Sequence, residues 1–159
     1  CDFIILSGGV SVGEHDHIKA AAEAAGFEGH LWRIRMKPGK PLYFARAPKC
    51  LAFGLPGNPV STYVTFKIFV LPSLLRWSGI HSAALSPVRI RATLSQPLEN
   101  LGDRPHFLRM ILDSDSGEVR PAGPQMSHAL LSMGKANCLL RMDAHGRLNR
   151  GAEVFVQLI

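Results

Sequence analysis

The segment at residues 7–17, SGGVSVGEHDH, combines residue types that bind phosphate with residue types that bind metal ions, and it directly follows the apolar run FIIL. Glycines at a turn between a strand and a helix leave backbone N–H groups open to an anion, and nearby hydroxyls add donors. The candidate donors of this loop are Ser7, Gly8, Gly9, Ser11 and Gly13. Their spacing matches neither the dinucleotide-binding GxGxxG pattern nor the P-loop pattern. The segment is therefore either an anion site or a plain tight turn whose Asp16 caps the following helix.

Glu14 and Asp16 stand at the mouth of this loop, where a carboxylate would repel a phosphate group. The repulsion is removed if a cation such as Mg²⁺ lies between the two groups. His15 and His17 flank Asp16 in an HxH pattern that also invites a zinc interpretation. Residues two apart on a helix point in different directions and no third ligand is evident, so we interpret both histidines as surface residues. A carboxylate such as Asp16 in this position therefore indicates a cation such as Mg²⁺.

Two further loops, MKPGKP and GLPGNP, carry rigid turns next to polar residues. The basic residues of the first are Lys37 and Lys40, with Arg33 and Arg35 just upstream. The turn residues of the second are Pro56, Gly57, Asn58 and Pro59. Taken alone, the first is typical of a solvated basic turn, and the second of a turn whose asparagine tolerates unusual dihedral angles. Because ligands of open α/β sheets bind at strand ends, three such loops following the strands of one sheet favour a common site.

The composition limits the class of protein and the kind of ligand. The 159 residues are 47% hydrophobic and 19% charged, which is ordinary for a globular protein. The apolar stretches fall short of the roughly 20 residues of a membrane helix. The basic residues behind the net charge of +6 are scattered, which favours a small anionic ligand over nucleic acid or a membrane. Cys1, Cys50 and Cys138 share no ligand spacing and are expected to be reduced core residues of a cytoplasmic protein.

The pattern of predicted secondary structure changes near the middle of the chain. In the first half we predict strands at 3–6, 30–36, 41–47 and 50–55, the first of them buried, and helices at 15–26 and 59–77. After residue 79 we predict strands at 88–94, 106–112, 137–142 and 152–159, with one helical turn at 128–133. The prediction is an α/β unit at residues 1–80 followed by a small all-β barrel or sandwich at 81–159. Because the chain opens inside an apolar strand, we expect it to be part of a longer protein.

Three motifs, SGGVSVGEHD, MKPGKP and FGLPGNPVS, closely resemble in order and distance those of the molybdopterin molybdenumtransferases, the MoeA/gephyrin family of molybdenum cofactor biosynthesis. DRPHFLRMIL and GPQMSHALLSMGKANCLL are similar to the C-terminal β-barrel domain of that family, so the resemblance covers essentially the whole chain. It implies that residues 1–80 are the C-terminal part of a molybdopterin-binding three-layer α/β domain and that residues 81–159 are the barrel domain. It also implies insertion of molybdate into adenylylated molybdopterin with release of AMP, with Mg²⁺, by a homodimer that carries further domains upstream.

The resemblance further implies roles for individual residues. The implied catalytic residues are Ser11, Asp16, Lys37 and Lys40, and Asp16 is the implied metal ligand. The implied cofactor-binding residues are Ser7, Gly8, Gly9, Gly13, Pro56, Gly57, Asn58, Pro59 and Ser61. The candidate molybdate donors are Arg33, Arg104, Arg109, Gln125 and Ser127. Arg33 stands where many relatives carry lysine, and its planar fork differs in geometry from an ammonium group.

Two other functions stay open from the sequence. A molybdopterin adenylyltransferase shares the α/β fold, but its phosphate loop is closer to GGTG and it lacks the β-rich part predicted at residues 88–159. A non-catalytic binding or scaffold module is the second alternative. Gephyrin clusters receptors through a domain of this type, and a fold by itself does not prove catalysis.

Overall fold

The computed structural model describes residues 1–10, 17–80, 85, 87–126 and 128–159, which form two compact units, Cys1–Leu71 and Pro72–Ile159. The first unit is α/β and the second contains a closed β-barrel, which confirms the predicted fold class. Within the described ranges, no helix has the length and apolar character needed to cross a bilayer.

The first unit is built on a four-stranded mixed sheet. Its strands are β1 (Phe3–Ser7), β2 (Glu28–Trp32), β3 (Tyr43–Ala47) and β4 (Cys50–Leu55), in the order β1-β4-β3-β2. Strand β1 pairs parallel with β4, and the other two pairs are antiparallel. The helices of this unit are α1 (Ile18–Ala24) and α2 (Pro59–Thr65), and a π-helical turn (Phe66–Val70) follows α2. The next helix, α3 (Leu71–Trp77), begins at the last residue of this unit. A small core forms around Val10, Tyr43, Ala45 and Ala52.

Helix α1 ends in the glycine motif that its sequence predicts. Gly26 has a φ of 82°, which side chains other than glycine rarely adopt. Its N–H donates to Glu23 O, and the next N–H, of Phe27, donates to Ala22 O. This pair of bonds satisfies two carbonyls at the helix end.

Two strand predictions in this unit are wrong in detail. The buried strand predicted at 3–6 is the half-exposed edge strand β1, in which Ile5 and Leu6 are 41% and 40% exposed. Strand β1 has one strand neighbour, β4, so its other edge has no strand partner in the described part of the sheet. The strand predicted at 30–36 ends at Trp32, because Arg33 has a φ of 64° and leaves the extended conformation.

The second unit holds most of α3, a five-stranded barrel, a short ribbon and a further helix. The barrel strands are β5 (Arg89–Leu94), β7 (His106–Leu112), β8 (Glu118–Pro121), β9 (Cys138–Met142) and β11 (Glu153–Leu158). Strands β6 (Leu98–Glu99) and β10 (Arg147–Leu148) form the ribbon, and α4 is Leu130–Lys135. The four strands predicted from apolar β-rich segments are confirmed, with β7 matching its predicted range. Strand β8 was not predicted, because EVRP is short and has little apolar alternation.

The three cysteines differ in environment. Cys138 is fully buried in the barrel core, as predicted, whereas Cys1 is exposed and Cys50 is half-buried, so the core prediction is wrong for Cys1. All three are free thiols. Burial raises the pKa of the Cys138 thiol from 9.0 to about 11, because the apolar core disfavours the thiolate.

The raised pKa of the Cys138 thiol predicts a loss of stability at alkaline pH. With a folded pKa above the unfolded one, the thiol contributes stability that is fully present below about pH 9 and is lost as the pH rises toward about 11. Between about pH 8 and pH 10.5, wild type should lose about 2 kcal/mol more free energy of unfolding than Cys138→Ala. Urea unfolding of both proteins at both pH values measures this. Burial and the charge of Glu23 raise the pKa of Tyr43 as well, but Tyr43 is common to both proteins and its contribution cancels. Equal losses would contradict the prediction.

Candidate functional site

The two glycine loops lie side by side, because β1 and β4 are parallel neighbours with Ser7 opposite Leu55. Both loops therefore leave the sheet at the same end. The N–H of Gly8 donates to Leu55 O at 2.9 Å, and Ser7 Oγ donates to Pro56 O at 3.3 Å. A Cβ on Gly57 would lie only 3.4 Å from the Cα of Gly8. The structure thus joins SGGV and PGNP into one surface, as expected for loops at the ends of parallel strands.

In the first loop, Gly8 does not leave its N–H open to an anion, as a simple anion-binding loop would. Gly8 and Gly9 have φ values of 91° and 69°, a region that glycine adopts without strain. The N–H of Gly8 is already engaged by Leu55 O, so Gly8 serves the close approach of the two loops. A ligand at this loop must take its N–H donors from Gly9 onward.

The second loop starts helix α2. Asn58 is the N-cap residue, and its Oδ1 accepts from Val60 N at 3.2 Å and from Ser61 N at 3.3 Å. Pro59 occupies the first turn, where its missing N–H costs nothing. Since capping occupies the side-chain oxygen of Asn58, a ligand is left with its amide NH₂ as donor. Ser61 is 5% exposed and lies in the first turn of α2, so its predicted role in cofactor binding stays a prediction.

The MKPGKP turn packs against the same helix. Gly39 has a φ of 105°, and a Cβ there would lie 2.4 Å from Thr65 Cγ2 of α2. Lys40 O accepts from the N–H groups of Ile34 and Leu42, and the Lys37–Pro38 peptide is cis. Lys37 and Lys40 are exposed while the Pro-Gly pair between them is buried, so both ammonium groups face solvent. Since α2 begins at the PGNP loop, the third loop is attached to the second, about 10 Å along the helix.

Trp32 and Lys19 also belong to this region, although neither was predicted from the sequence. The indole Nε1–H of Trp32 donates to Val10 O, at 3.4 Å, where the described part of the glycine loop ends. The Arg33 Cζ lies 4.4 Å from the centroid of the Trp32 ring, and the Lys19 Nζ lies 4.8 Å from it. The signal that could have identified Trp32 from the sequence is the position of an aromatic residue directly before Arg33, just upstream of a basic turn.

The candidate donors of the barrel unit fall into two places. Arg104 precedes β7, where its guanidinium pairs with Asp103 at 3.5 Å and its carbonyl accepts from the buried Asn100. Arg109 lies in β7 and is fully buried, while Gln125 exchanges two hydrogen bonds with the backbone of Arg109, at 2.8 and 2.9 Å. The structure therefore brings Arg109 and Gln125 together.

The Arg109 guanidinium binds protein atoms of the segment 123–132. Its Nη2 donates to Pro124 O at 2.8 Å and to Met126 O at 3.1 Å, and its Nε donates to Ser132 Oγ at 2.9 Å. Its Nη1 is buried without a partner among the described residues. Burial lowers the pKa of Arg109 from its usual value. These bonds make Arg109 an anchor of the segment, with Nη1 as the one nitrogen not engaged by the described residues.

Four predicted site residues lie outside the described residues: Ser11, Gly13, Asp16 and Ser127. In the described ranges, no group of three or more His, Cys, Asp or Glu side chains is close enough to hold a metal ion. The roles given to Asp16 and Mg²⁺ therefore stay predictions.

Two domain models match the chain. The first, described as "Probable molybdopterin binding domain", matches residues 1–76, and the second, described as "MoeA C-terminal region (domain IV)", matches residues 91–159. The first match covers all of the Cys1–Leu71 unit, and the second covers the larger part of the Pro72–Ile159 unit.

Curated relatives and a solved structure agree with these matches. The molybdenum cofactor synthesis protein cinnamon of Drosophila melanogaster is 38% identical over 97% of this chain and 26% of that protein. The molybdopterin molybdenumtransferase of Haemophilus influenzae is 35% identical over 98% of this chain and 39% of that protein. The chain thus spans well under half the length of both relatives. The crystal structure of the molybdopterin biosynthesis MoeA protein of Pyrococcus horikoshii superposes with a TM-score of 0.77 at 26% identity, over 99% of this chain and 37% of that one. The chain belongs to the MoeA/gephyrin family of molybdopterin molybdenumtransferases and corresponds to the C-terminal portion of these proteins.

Proposed function

We propose that this chain is part of an enzyme that inserts molybdate into adenylylated molybdopterin and releases AMP. The observation that carries the proposal is the contact between the SGGV and PGNP loops, where Gly8 and Gly57 lie backbone to backbone at the ends of parallel strands. Relatives of this chain are named molybdopterin molybdenumtransferases, which supports the same activity.

The described residues suit a ligand with several anionic oxygens. Cleavage of a phosphoanhydride needs positive charge and N–H donors fixed around the non-bridging oxygens. The joined loops bring backbone close to the ligand, and the exposed ammonium groups of Lys37 and Lys40 face solvent on a turn attached to helix α2. Molybdate is a tetrahedral dianion, so the same kinds of donor serve it. Arg33, beside Trp32, adds a further cation.

Mg²⁺ at Asp16 is part of the proposal. A carboxylate beside a phosphate loop favours a divalent cation between the two anions. We assign no step to the metal, because one carboxylate is an incomplete set of ligands. In the full-length protein we expect a homodimer, in the cytoplasm, whose upstream domains supply further acidic groups.

The two alternative functions are less well supported. The barrel unit and its match to the MoeA C-terminal region argue against an adenylyltransferase, which lacks this domain. A scaffold module would keep the fold without the chemistry, so the experiments must separate binding from turnover.

Binding is tested with a side chain placed where the two loops meet. Gly57→Val puts a branched side chain against Gly8 at a position whose φ does not require glycine. We expect it to weaken binding of adenylylated molybdopterin by at least about tenfold in isothermal titration calorimetry, with thermal stability nearly unchanged. Gly134→Val is the matched control and should bind like wild type, because Gly134 is exposed and a Cβ there would meet no atom within 4 Å apart from its chain neighbours and the backbone of its own helix. Equal affinities of wild type and Gly57→Val would contradict the proposed site.

Turnover is tested by release of AMP in the presence of molybdate. This chain alone should turn over poorly, because it carries few of the acidic groups that a metal site needs. In the full-length protein, molybdate-dependent cofactor formation should be lost in Asp16→Ala. Rapid AMP release by the chain alone would refute the first expectation. Wild-type activity of Asp16→Ala would refute the role of Asp16, and a full-length wild type without activity would favour the scaffold alternative.

A further inference from the structure

The indole of Trp32 links three segments around the SGGV loop, which is the glycine loop that ends at Val10. Through Nε1 it holds the carbonyl of Val10, whose side chain is buried against Gly54. Its ring lies under the ammonium of Lys19, from helix α1, and under the guanidinium of Arg33, which leads toward the MKPGKP turn. Within the described residues, neither cation has a carboxylate ion pair.

Core packing does not account for this arrangement. The Trp32 side chain sits at the end of edge strand β2 and is 43% exposed, and both cations are exposed as well. An indole face attracts cations within about 6 Å of its centroid, and the attraction at exposed sites is modest but directional. Two cations that would otherwise repel each other are therefore gathered beside one ring.

Arg33 is held by its backbone as well as by the ring. Its φ of 64° is unusual for a residue with a side chain, and its N–H donates to Leu42 O at 2.9 Å. This fixes the direction in which the side chain leaves the backbone. The stacking on Trp32 then limits the rotamers of a long side chain that is otherwise free in solvent.

We propose that Trp32 is a positioning residue of the candidate site, whose ring holds Arg33 and Lys19 ready for the phosphate or oxyanion group bound at the glycine loop. The inference rests on the proposed function and deepens it, since it names the residue that organises two of the site's cations. Trp32 acts through Arg33 and Lys19, so its contribution to anion binding shrinks when Arg33 is removed, and only the part that acts through Lys19 is left.

The test is a double-mutant cycle with inorganic pyrophosphate as the probe. Isothermal titration calorimetry compares wild type, Trp32→Leu, Arg33→Gln and the double variant. We expect Trp32→Leu to weaken pyrophosphate binding about fivefold in the wild-type background and less than about twofold in the Arg33→Gln background. Trp32→Phe, which keeps a ring, should lose about half as much on a logarithmic scale. Trp77→Phe, at the other tryptophan of the chain, should bind like wild type.

A purely structural role for Trp32 predicts a different pattern. Loss of Val10 support alone would weaken binding by the same factor in both backgrounds, and that result would overturn the proposal. Equal binding by wild type and Trp32→Leu, or no pyrophosphate binding by wild type, would also overturn it. The double-mutant cycle can give the expected pyrophosphate affinities while wild type fails to bind adenylylated molybdopterin. That result would support the role of Trp32 and count against the proposed function.

A second measurement needs no ligand. In the Trp77→Phe background the fluorescence comes from Trp32 alone, and Arg33→Gln or Lys19→Met should change its emission by removing a neighbouring cation. Unchanged emission in both variants would contradict the two cation contacts.

Discussion

Replacing Gly39 by alanine is expected to lower the free energy of unfolding of the Cys1–Leu71 unit by about 3 kcal/mol. Two causes add at this position. The φ of 105° is strained for any side chain, and the new Cβ would lie 2.4 Å from Thr65 Cγ2. Since Gly39 belongs to the turn between the two lysines, the same change should shift this turn away from helix α2 and weaken ligand binding.

The two causes can be separated by a second substitution on the helix. Thr65→Ser deletes the Cγ2 methyl that the new Cβ would meet but keeps the hydroxyl, whose single proton lies within reach of the carbonyls of Ser61 and Thr62. In the double variant about half of the loss should be recovered, and the strain of the backbone should account for the remainder. Urea unfolding of wild type, both single variants and the double variant measures this. A wild-type stability of Gly39→Ala would show that the turn does not rest on α2.

Replacing Arg109 by methionine is expected to lower the free energy of unfolding by about 2–3 kcal/mol and to loosen the segment 123–132. The guanidinium supplies three hydrogen bonds to this segment, at Pro124 O, Met126 O and Ser132 Oγ. Without it, these acceptors must turn toward solvent or stay unpaired. The substitution also removes the cost of burying a cation, which offsets part of the lost free energy of unfolding. The expected loss is therefore smaller than the summed contributions of the three hydrogen bonds.

Arg141→Met is the matched control, because Arg141 lies on the neighbouring strand β9 with an exposed side chain paired to Asp143 at 2.9 Å. It should change stability by less than about 0.5 kcal/mol. Hydrogen exchange at residues 123–132 should accelerate in Arg109→Met and not in Arg141→Met. Equal exchange in the two variants would contradict the anchoring role. Arg109→Lys, which keeps the charge without the planar fork, should resemble methionine more than wild type.

Features set by local chemistry could be predicted from the sequence. Helix α1 ends at a glycine and α2 begins at Asn58-Pro59, since capping depends on a few neighbouring residues. Strand β7 matches its predicted range because its apolar run is bounded by polar residues and turn formers. The prediction failed for β1, since an apolar run reports the tendency to be buried and not the partner that buries it.

The candidate site, too, could be predicted from the sequence only where it depends on local residue types. Residue types and order were enough to pick out the three loops, and the family resemblance followed from them. The contact of Gly8 with Gly57 depends on the parallel pairing of β1 with β4, and the position of the MKPGKP turn depends on Thr65. Neither partner is near in sequence, so no local pattern contains them.

The sequence by itself determined the loops, the caps and the family, because these depend on residue types at short spacing. Tertiary structure alone decided which cations are free and which are engaged. Arg33 and Arg109 are both arginines and both candidate molybdate donors, yet one lies exposed over an indole and the other is buried among carbonyls. That difference arises because the environment of a charge is made by segments distant in the chain, whose approach only the folded structure contains.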